Sequence, residues 1–204
     1  MRPFKKNQNQ KGAVLFVALI MLLVLTLLAV GSMRGTTLEG RITANRAHDT
    51  QQQNAADAAL RESEFRYYGP GNLLDKLEPN AANCADTNVL KSNGLNKPCL
   101  IGFANDESLM TFINDPRGQV NNVAWLNYTG TDANDASSIA IKNNQSARVN
   151  STVIAFNCVE YGCAPEGGPA TYFYLNTAEA TDTGTSSSVY LQSSHAKFSP
   201  GLNN

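Results

Sequence analysis

A long run of apolar residues lies close to the N-terminus. Residues 12–33 contain no charged side chain, and within residues 13–30 Thr26 is the only polar one. At ~1.5 Å per residue, a helix over residues 12–33 is roughly 33 Å long, which is enough to cross the hydrocarbon core of a membrane. The pattern therefore predicts a membrane-spanning helix.

The predicted helix continues beyond the length that a membrane requires. No proline occurs between Pro3 and Pro70, and helix-forming residues dominate up to the Gly-Pro-Gly sequence at residues 69–71. That tripeptide is a strong helix stop signal. We therefore predict one long helix over residues 13–68.

The second half of this helix has a different surface from the first. Residues 43–54 have no large apolar side chain, which is typical of a solvated helix. An apolar edge then returns at Ala56, Ala59, Leu60 and Phe65. We predict that this last section docks on a globular domain. Two i, i+4 ion pairs are expected on its outer surface, Asp57 with Arg61 and Glu62 with Arg66.

Short segments rich in β-forming residues recur in the C-terminal part of the chain, over residues 149–161, 170–177 and 187–198. Clusters of Gly, Pro, Ser and Thr separate them, which is typical of an antiparallel meander. Residues 181–188 are expected to form a long polar hairpin loop. Between residues 71 and 148 the pattern supports only a short helix over residues 106–114, capped by Asp106, and a strand over residues 120–128.

These patterns predict an α+β fold in which a long N-terminal helix packs on an antiparallel β-sheet. The predicted organisation has three parts: a leader over residues 1–12, the helix over residues 13–68 and a globular domain over residues 69–204. Within the helix, residues 13–33 form the membrane half and residues 34–68 the half docked on the globular domain.

Charge and cysteine content indicate the compartment of each part. The N-terminal flank has no acidic residue and four basic ones, Arg2, Lys5, Lys6 and Lys11. By the positive-inside rule this flank is cytoplasmic, and the chain after Met33 is translocated. An even number of cysteines on the oxidising side predicts two disulfides, for which three pairings are possible. We favour the sequential pairing, Cys84 with Cys99 and Cys158 with Cys163.

The sequence offers no constellation for catalysis or metal binding. It contains no Gly-x-Ser-x-Gly, no P-loop and no EF-hand loop, and its cysteines lack the Cys-x-x-Cys spacing of zinc sites. His48 and His195 are expected on the surface. Aromatic residues are expected to pack in the core or on a sheet face, namely Tyr67, Tyr68, Trp125, Tyr172 and Tyr174. We therefore expect no enzyme activity, metal, cofactor or small-molecule substrate.

Net charge argues against duplex nucleic acid as a partner. A chain that begins at Ala13 retains 12 of the 16 basic residues and all 17 acidic ones, which gives a net charge of −5. No cluster of Lys and Arg occurs beyond the N-terminal flank, so the chain lacks the basic surface that phosphate backbones require.

The junction between the basic leader and the apolar helix resembles the class III signal of type IV pilins, which a prepilin peptidase cuts after a glycine. That glycine is Gly12, so Ala13 becomes the N-terminal residue of the mature chain and the site of N-terminal methylation. The helix more specifically resembles the PilX family of minor pilins. The matching stretches are residues 11–19 (KGAVLFVAL), 33–41 (MRGTTLEGR), 55–64 (AADAALRESE) and 188–193 (SVYLQS).

The resemblance implies a structural role in the type IV pilus. The chain would first be anchored in the bacterial inner membrane, with its N-terminus cytoplasmic and its globular domain periplasmic, and would then enter the extracellular pilus. The residues assigned to the membrane and filament contacts are Leu15, Phe16, Val17, Leu19, Ile20, Leu22 and Leu23. Implied partners are other minor pilins, the major pilin and a large tip-associated adhesin, in support of pilus assembly, twitching motility, adhesion and DNA uptake.

Val17 departs from the general pilin pattern. Most pilins carry a glutamate at the fifth mature position, where its carboxylate pairs with the N-terminal ammonium of a neighbouring subunit. A buried ammonium without a partner is unfavourable, so a subunit with Val17 cannot neutralise a subunit placed beyond it. We therefore predict a position at or near the pilus tip, where no such neighbour exists.

Other interpretations of the N-terminal region remain open. The chain could keep its leader as an uncleaved anchor, or lose an ordinary secretory signal near residues 29–31, although the apolar core of such signals is usually shorter. For the whole chain, the alternatives are a tip minor pseudopilin of a type II secretion system and a single-pass anchored binding domain.

Overall fold

The computed structural model describes residues 11–68, 77–91, 96–119, 122–128, 130, 141, 145–158 and 169–200. By its internal contacts the chain divides into two compact units, Met1–Asp49 and Thr50–Asn204. The leader before Lys11 lies outside the described residues. So does the predicted Cys158–Cys163 disulfide, because the side chains of these two cysteines are not described.

A single helix, α1, runs without interruption from Lys11 to Tyr68. This confirms the long N-terminal helix. Within residues 13–30 the one polar side chain is satisfied within the helix, since the hydroxyl of Thr26 donates to the carbonyl of Leu23 at 2.8 Å. Such local bonds let a threonine sit in an otherwise apolar helix without an unpaired donor.

The second unit contains a five-stranded sheet and a short helix. Its elements after α1 are a 3₁₀ turn Ala81–Cys84, β1 Leu100–Ile101, α2 Asp106–Asn114, β2 Leu126–Asn127, β3 Gln145–Cys158, β4 Ala170–Asp182 and β5 Ser188–Ser199. The strand order is β1-β3-β4-β5, and β2 also pairs with β3. The helix and the sheet together confirm the α+β fold.

The prediction of a wholly antiparallel sheet was wrong at one edge. β3, β4 and β5 form the expected antiparallel meander, but β1 pairs with β3 in parallel, with Leu100 opposite Ser151. A strand of two residues carries no readable alternation of apolar and polar positions. Its direction is set instead by tertiary contacts, since Cys99, just before β1, accepts a hydrogen bond at 2.8 Å from the amide of Ser151.

Strand and helix ends also differ from the sequence prediction. The predicted loop over residues 181–188 is shorter, because β4 continues to Asp182 and β5 resumes at Ser188. The carboxylate of Asp182 accepts hydrogen bonds from the amides of Gly184 and Thr185, which closes a tight turn. Ser186, with φ of 56°, takes the left-handed conformation in that turn.

The short helix α2 forms at the predicted residues but with a different cap. Asn105, and not Asp106, accepts a hydrogen bond from the amide of Ser108 at 2.8 Å, and Ser108 completes a capping box. Of the strand predicted over residues 120–128, the structure describes residues 122–128, and among these Leu126–Asn127 form a strand.

Candidate functional site

The apolar half of α1 is uncovered within its own unit. α1 is long and apolar enough to cross a membrane, and its most apolar 18-residue window has a mean hydropathy of 3.2 with no residue buried. All seven residues assigned to membrane or filament contacts are exposed: Leu15, Phe16, Val17, Leu19, Ile20, Leu22 and Leu23. A helix that is apolar all round is stable only when lipid or other helices cover it.

The predicted processing site and Val17 lie together in the first turns of this helix. α1 already begins at Lys11, so the bond between Gly12 and Ala13 lies in helical backbone. Val17 follows Ala13 by four residues and therefore lies on the same face, one turn further along. It is 53% exposed, and no carboxylate occurs anywhere in residues 12–33.

The other end of α1 belongs to the second unit and docks on the sheet through very small side chains. Ala56 and Ala59 are fully buried against Ala178 and Ala180 of β4, which are also fully buried. Alanine on both surfaces lets helix and sheet approach closely, so any larger side chain would have to displace one of them. Phe65 is not part of this face, contrary to the prediction, since 44% of it is exposed.

The largest error of the sequence prediction concerns the ion pair between Glu62 and Arg66. Both residues were expected on the outer surface, but their side chains are only 2% and 0% exposed, with an N–O distance of 2.7 Å. The pair Asp57 and Arg61 does lie outside, as expected, with side chains 50% and 78% exposed. Arg66 lies seven residues after Ala59 and so shares its buried face, which is the signal that could have revealed it.

Arg66 ties the helix to a loop that a disulfide closes. Its guanidinium donates to Glu62 and also to the side chain and carbonyl of Asn88 and to the carbonyl of Lys97. Both acceptor residues lie between Cys84 and Cys99, which form a disulfide with a Cα–Cα distance of 4.6 Å. The buried charge is thus stabilised jointly by a carboxylate and by loop carbonyls.

A polar seam crosses the docked face between two apolar clusters. The side-chain oxygen of Asn176 accepts hydrogen bonds from the hydroxyls of Ser63 and Ser151, at 3.2 and 2.5 Å. The amide nitrogen of Asn176 lies 3.0 Å from Nδ1 of His195. These bonds join α1 to β3, β4 and β5, and they fix the position of the helix along the sheet because hydrogen bonds are directional.

His195 is half-buried and not on the surface as predicted. Its ring packs between Tyr67 and Tyr174, with ring centroids 4.5 and 5.3 Å away. The amide of Asn176 donates to Nδ1, so the proton of the neutral ring resides on Nε2. Burial lowers the pKa of His195; the nearby carboxylate of Glu64 acts in the opposite direction, and the ammonium of Lys197 adds to the lowering.

We expect the stability of the second unit to fall as the pH drops below the unfolded-state histidine pKa of about 6.5. Because the pKa of His195 is lowered in the folded chain, the unfolded chain binds a proton first, and stability therefore falls as the pH falls within that window. Urea unfolding of the full chain in detergent at pH 7.5 and pH 5.5 measures it. His195→Gln should show a smaller pH dependence, and an unchanged dependence would contradict the assignment.

The aromatic residues singled out from the sequence differ in burial. Among the described residues, no group of three or more His, Cys, Asp or Glu is arranged to hold a metal ion. Tyr67, Tyr172 and Tyr174 pack in the core as predicted, whereas 46% of Tyr68 is exposed. Trp125 is half-buried, with the guanidinium of Arg148 5.0 Å above its ring.

The N-terminal helix matches a known family. Residues 11–61 match the family model described as PilX N-terminal. Residues 11–61 are a PilX N-terminal segment, which supports a type IV pilus pilin of the PilX family. No curated protein and no solved structure matches the chain. The matched segment includes the whole apolar half of α1 together with Ala56 and Ala59 of the docked face, and it ends before Glu62 and Arg66.

A PilX N-terminal segment gives the exposed apolar helix a physical role. Type IV pilins use such a helix as a membrane anchor and then as a filament contact, which fits the uncovered surface between Ala13 and Met33. The match indicates a type IV pilus minor pilin and, in general terms, interaction with other pilus components. Asn176, which sequence reasoning missed, helps to hold the docked end of the helix on the sheet. Glu62, Arg66 and His195, which it placed on the surface, take part in the same docking.

Proposed function

We propose that this minor pilin acts at or near the pilus tip, as part of the complex that initiates pilus assembly. The observation that carries the proposal is an exposed apolar helix with Val17 at the fifth mature position. During assembly the N-terminal ammonium of each added subunit enters an apolar environment, where an unpaired charge is strongly unfavourable. A subunit that offers no carboxylate there is best suited to the position that has no subunit beyond it.

The mechanism follows from the two ends of α1. The basic leader holds the chain in the inner membrane, and cleavage after Gly12 by a prepilin peptidase frees Ala13. The apolar half then exchanges lipid for neighbouring helices, which keeps its surface out of water throughout. The other end stays docked through the alanine face, the polar seam and the buried ion pair, so the second unit is carried to the filament as one folded body.

In the proposed complex the partners are other minor pilins, the major pilin and a large tip-associated adhesin. Support for twitching motility, adhesion and DNA uptake would follow from the presence of pili and not from chemistry at the subunit. The globular unit would face the periplasm before assembly and the exterior afterwards, which agrees with the disulfide between Cys84 and Cys99.

A complementation experiment tests this function. A strain that lacks the gene should lose most surface pili and twitching, and the wild-type gene should restore both. Gly12→Val should fail to restore them, because the leader cannot be removed. Gly31→Val is the matched control, since an added Cβ at this glycine meets nothing within 4 Å. Normal complementation by Gly12→Val would refute the proposal in favour of an uncleaved anchor. Loss of protein secretion with intact pili would indicate a secretion pseudopilin.

Pili of the complemented strain also test the position of the subunit in the filament. An antibody against residues 69–204 should label restored pili at one end. Uniform labelling along the shaft would overturn the tip assignment while leaving the role of a pilin intact.

A further inference from the structure

The last strand of the sheet has one unpaired edge. β5 pairs along its whole length with β4, from Ser188 opposite Thr181 to Ser199 opposite Ala170, without a register shift. In the strand order β1-β3-β4-β5 it is the terminal strand among the described residues. Its second edge therefore presents backbone donors and acceptors to the surroundings.

The hairpin determines which residues present these groups. The amide of Asp182 donates to the carbonyl of Ser187 at 3.0 Å, so the backbone N–H and C=O of residue 187 point toward β4. The direction of these backbone groups alternates along an antiparallel strand. The N–H and C=O groups of the even-numbered residues of β5 therefore point away from β4. These residues are Ser188, Tyr190, Gln192, Ser194, Ala196 and Phe198. The hydroxyl of Tyr68 donates to the outward carbonyl of Ala196 at 2.5 Å, which confirms the alternation and covers that end of the edge.

In the described part of the chain the remaining edge, residues 188–194, is unpaired and lacks the usual protection against pairing. Among the described residues, no backbone–backbone hydrogen bond reaches its outward groups. Edge strands are normally guarded by proline, by a bulge or by exposed charges. β5 has no proline, no acidic residue and no bulge, and its one lysine, Lys197, is only 3% exposed.

We propose that the open edge of β5, residues 188–194, binds an extended strand of a different pilus subunit by strand addition. The inference rests on the proposed function, which supplies subunits as neighbours. The edge carries no charge, so it favours an uncharged strand, and recognition would come mainly from the backbone ladder. A second copy fits less well, because antiparallel pairing of two β5 edges needs a two-fold axis, whereas subunits of one filament are related by a screw rotation.

Two side chains frame the open edge. Tyr190 is held in place on one face of the sheet, since its hydroxyl donates to Glu179 at 2.6 Å and Arg117 lies 5.8 Å from its ring centroid. Leu191 packs against the apolar cluster on the other face. A rigid edge loses little conformational entropy when a strand is added, which favours binding.

Ser194 allows a sharp test. Its side chain is exposed, and its amide points outward, so a proline at this position removes one donor of the open edge and leaves the ladder with β4 intact. We would co-express the full-length chain in membranes with each other pilin subunit of the same pilus, one at a time, and measure the affinity of each detergent-solubilised pair. Ser194→Ala, which keeps the donor, is the matched control.

The expected result is that one subunit binds the wild type and Ser194→Ala equally and binds Ser194→Pro about tenfold more weakly or worse. In that complex, hydrogen exchange should slow at the amides of Tyr190, Gln192 and Ser194. All variants should unfold at the same urea concentration as the wild type to within a small shift, which separates binding from folding.

Three results would overturn the inference. Equal binding of a subunit by Ser194→Pro and Ser194→Ala would show that the edge is not used, and the proposed function would stand. Loss of self-association alone in Ser194→Pro would assign the edge to a second copy. If no pilus subunit binds even the wild type, the inference and the proposed function both fail.

Discussion

Replacing Arg66 by methionine is expected to lower the free energy of unfolding by about 3–5 kcal/mol, because it leaves the carboxylate of Glu62 buried without its partner. The loss extends to the loop, since Asn88 and Lys97 also lose the donor that satisfies them. Urea unfolding of the full chain in detergent measures the change, with the fluorescence of Trp125, the only tryptophan, as the signal.

The same helix supplies a matched control. Arg61 pairs with Asp57 at the same i, i+4 spacing, but both side chains are well exposed. Arg61→Met should therefore change stability by no more than about 0.5 kcal/mol. The double variant Glu62→Met with Arg66→Met should recover only part of the loss, because the loop acceptors stay unpaired. Equal effects of Arg66→Met and Arg61→Met would contradict a buried pair.

Removing the disulfide by changing Cys84 and Cys99 together to alanine should cost about 3 kcal/mol, the value expected for a loop closed over 15 residues. Both sulfur atoms are in a buried cluster with Ile101 and Leu126, so the lost packing adds to the entropic effect. Unfolding under non-reducing conditions, again followed by Trp125 fluorescence, measures the loss. A change below about 0.5 kcal/mol would mean that contacts in the loop hold it closed without the covalent bond.

The two perturbations should not be additive. Arg66 binds residues inside the loop that the disulfide closes, so each interaction orders groups that the other needs. Combining Arg66→Met with loss of the disulfide should therefore destabilise less than the sum of the separate effects, by at least about 0.5 kcal/mol. The combination with Arg61→Met should be additive, because that pair contacts no loop residue in the described part of the chain.

Elements with a long continuous signal were predicted well. α1 follows from its apolar run and the absence of proline, and the meander of β3, β4 and β5 follows from segments rich in β-forming residues. Of the two-residue strands, β1 was not predicted and β2 lies inside a longer predicted strand, because two residues carry no period of their own. The ends of β4 and β5 depend on hydrogen bonds to the side chain of Asp182. Aspartate is equally common inside loops, so its presence in the sequence does not mark where a strand ends.

Residues of the docked face were predicted only in part. Ala56 and Ala59 follow from apolar spacing, but Gln52, which donates to Ser187, and Asn176 are buried polar residues that an apolar pattern overlooks. His195 was expected on the surface for the same reason. A polar residue can be buried only where a partner exists, and partners distant in sequence are known only from the fold.

The sequence alone determined the long N-terminal helix of this protein, its capacity to span a membrane and its resemblance to the PilX family. These properties are local, since length, charge and hydrophobicity of a continuous segment are enough to set them. Tertiary structure alone decided how far the buried face of α1 extends and that Glu62 and Arg66 lie inside. It also decided that β5 is the terminal strand of the sheet among the described residues. Each of these depends on which distant strand or loop supplies the covering atoms, and a single chain pattern does not contain that information.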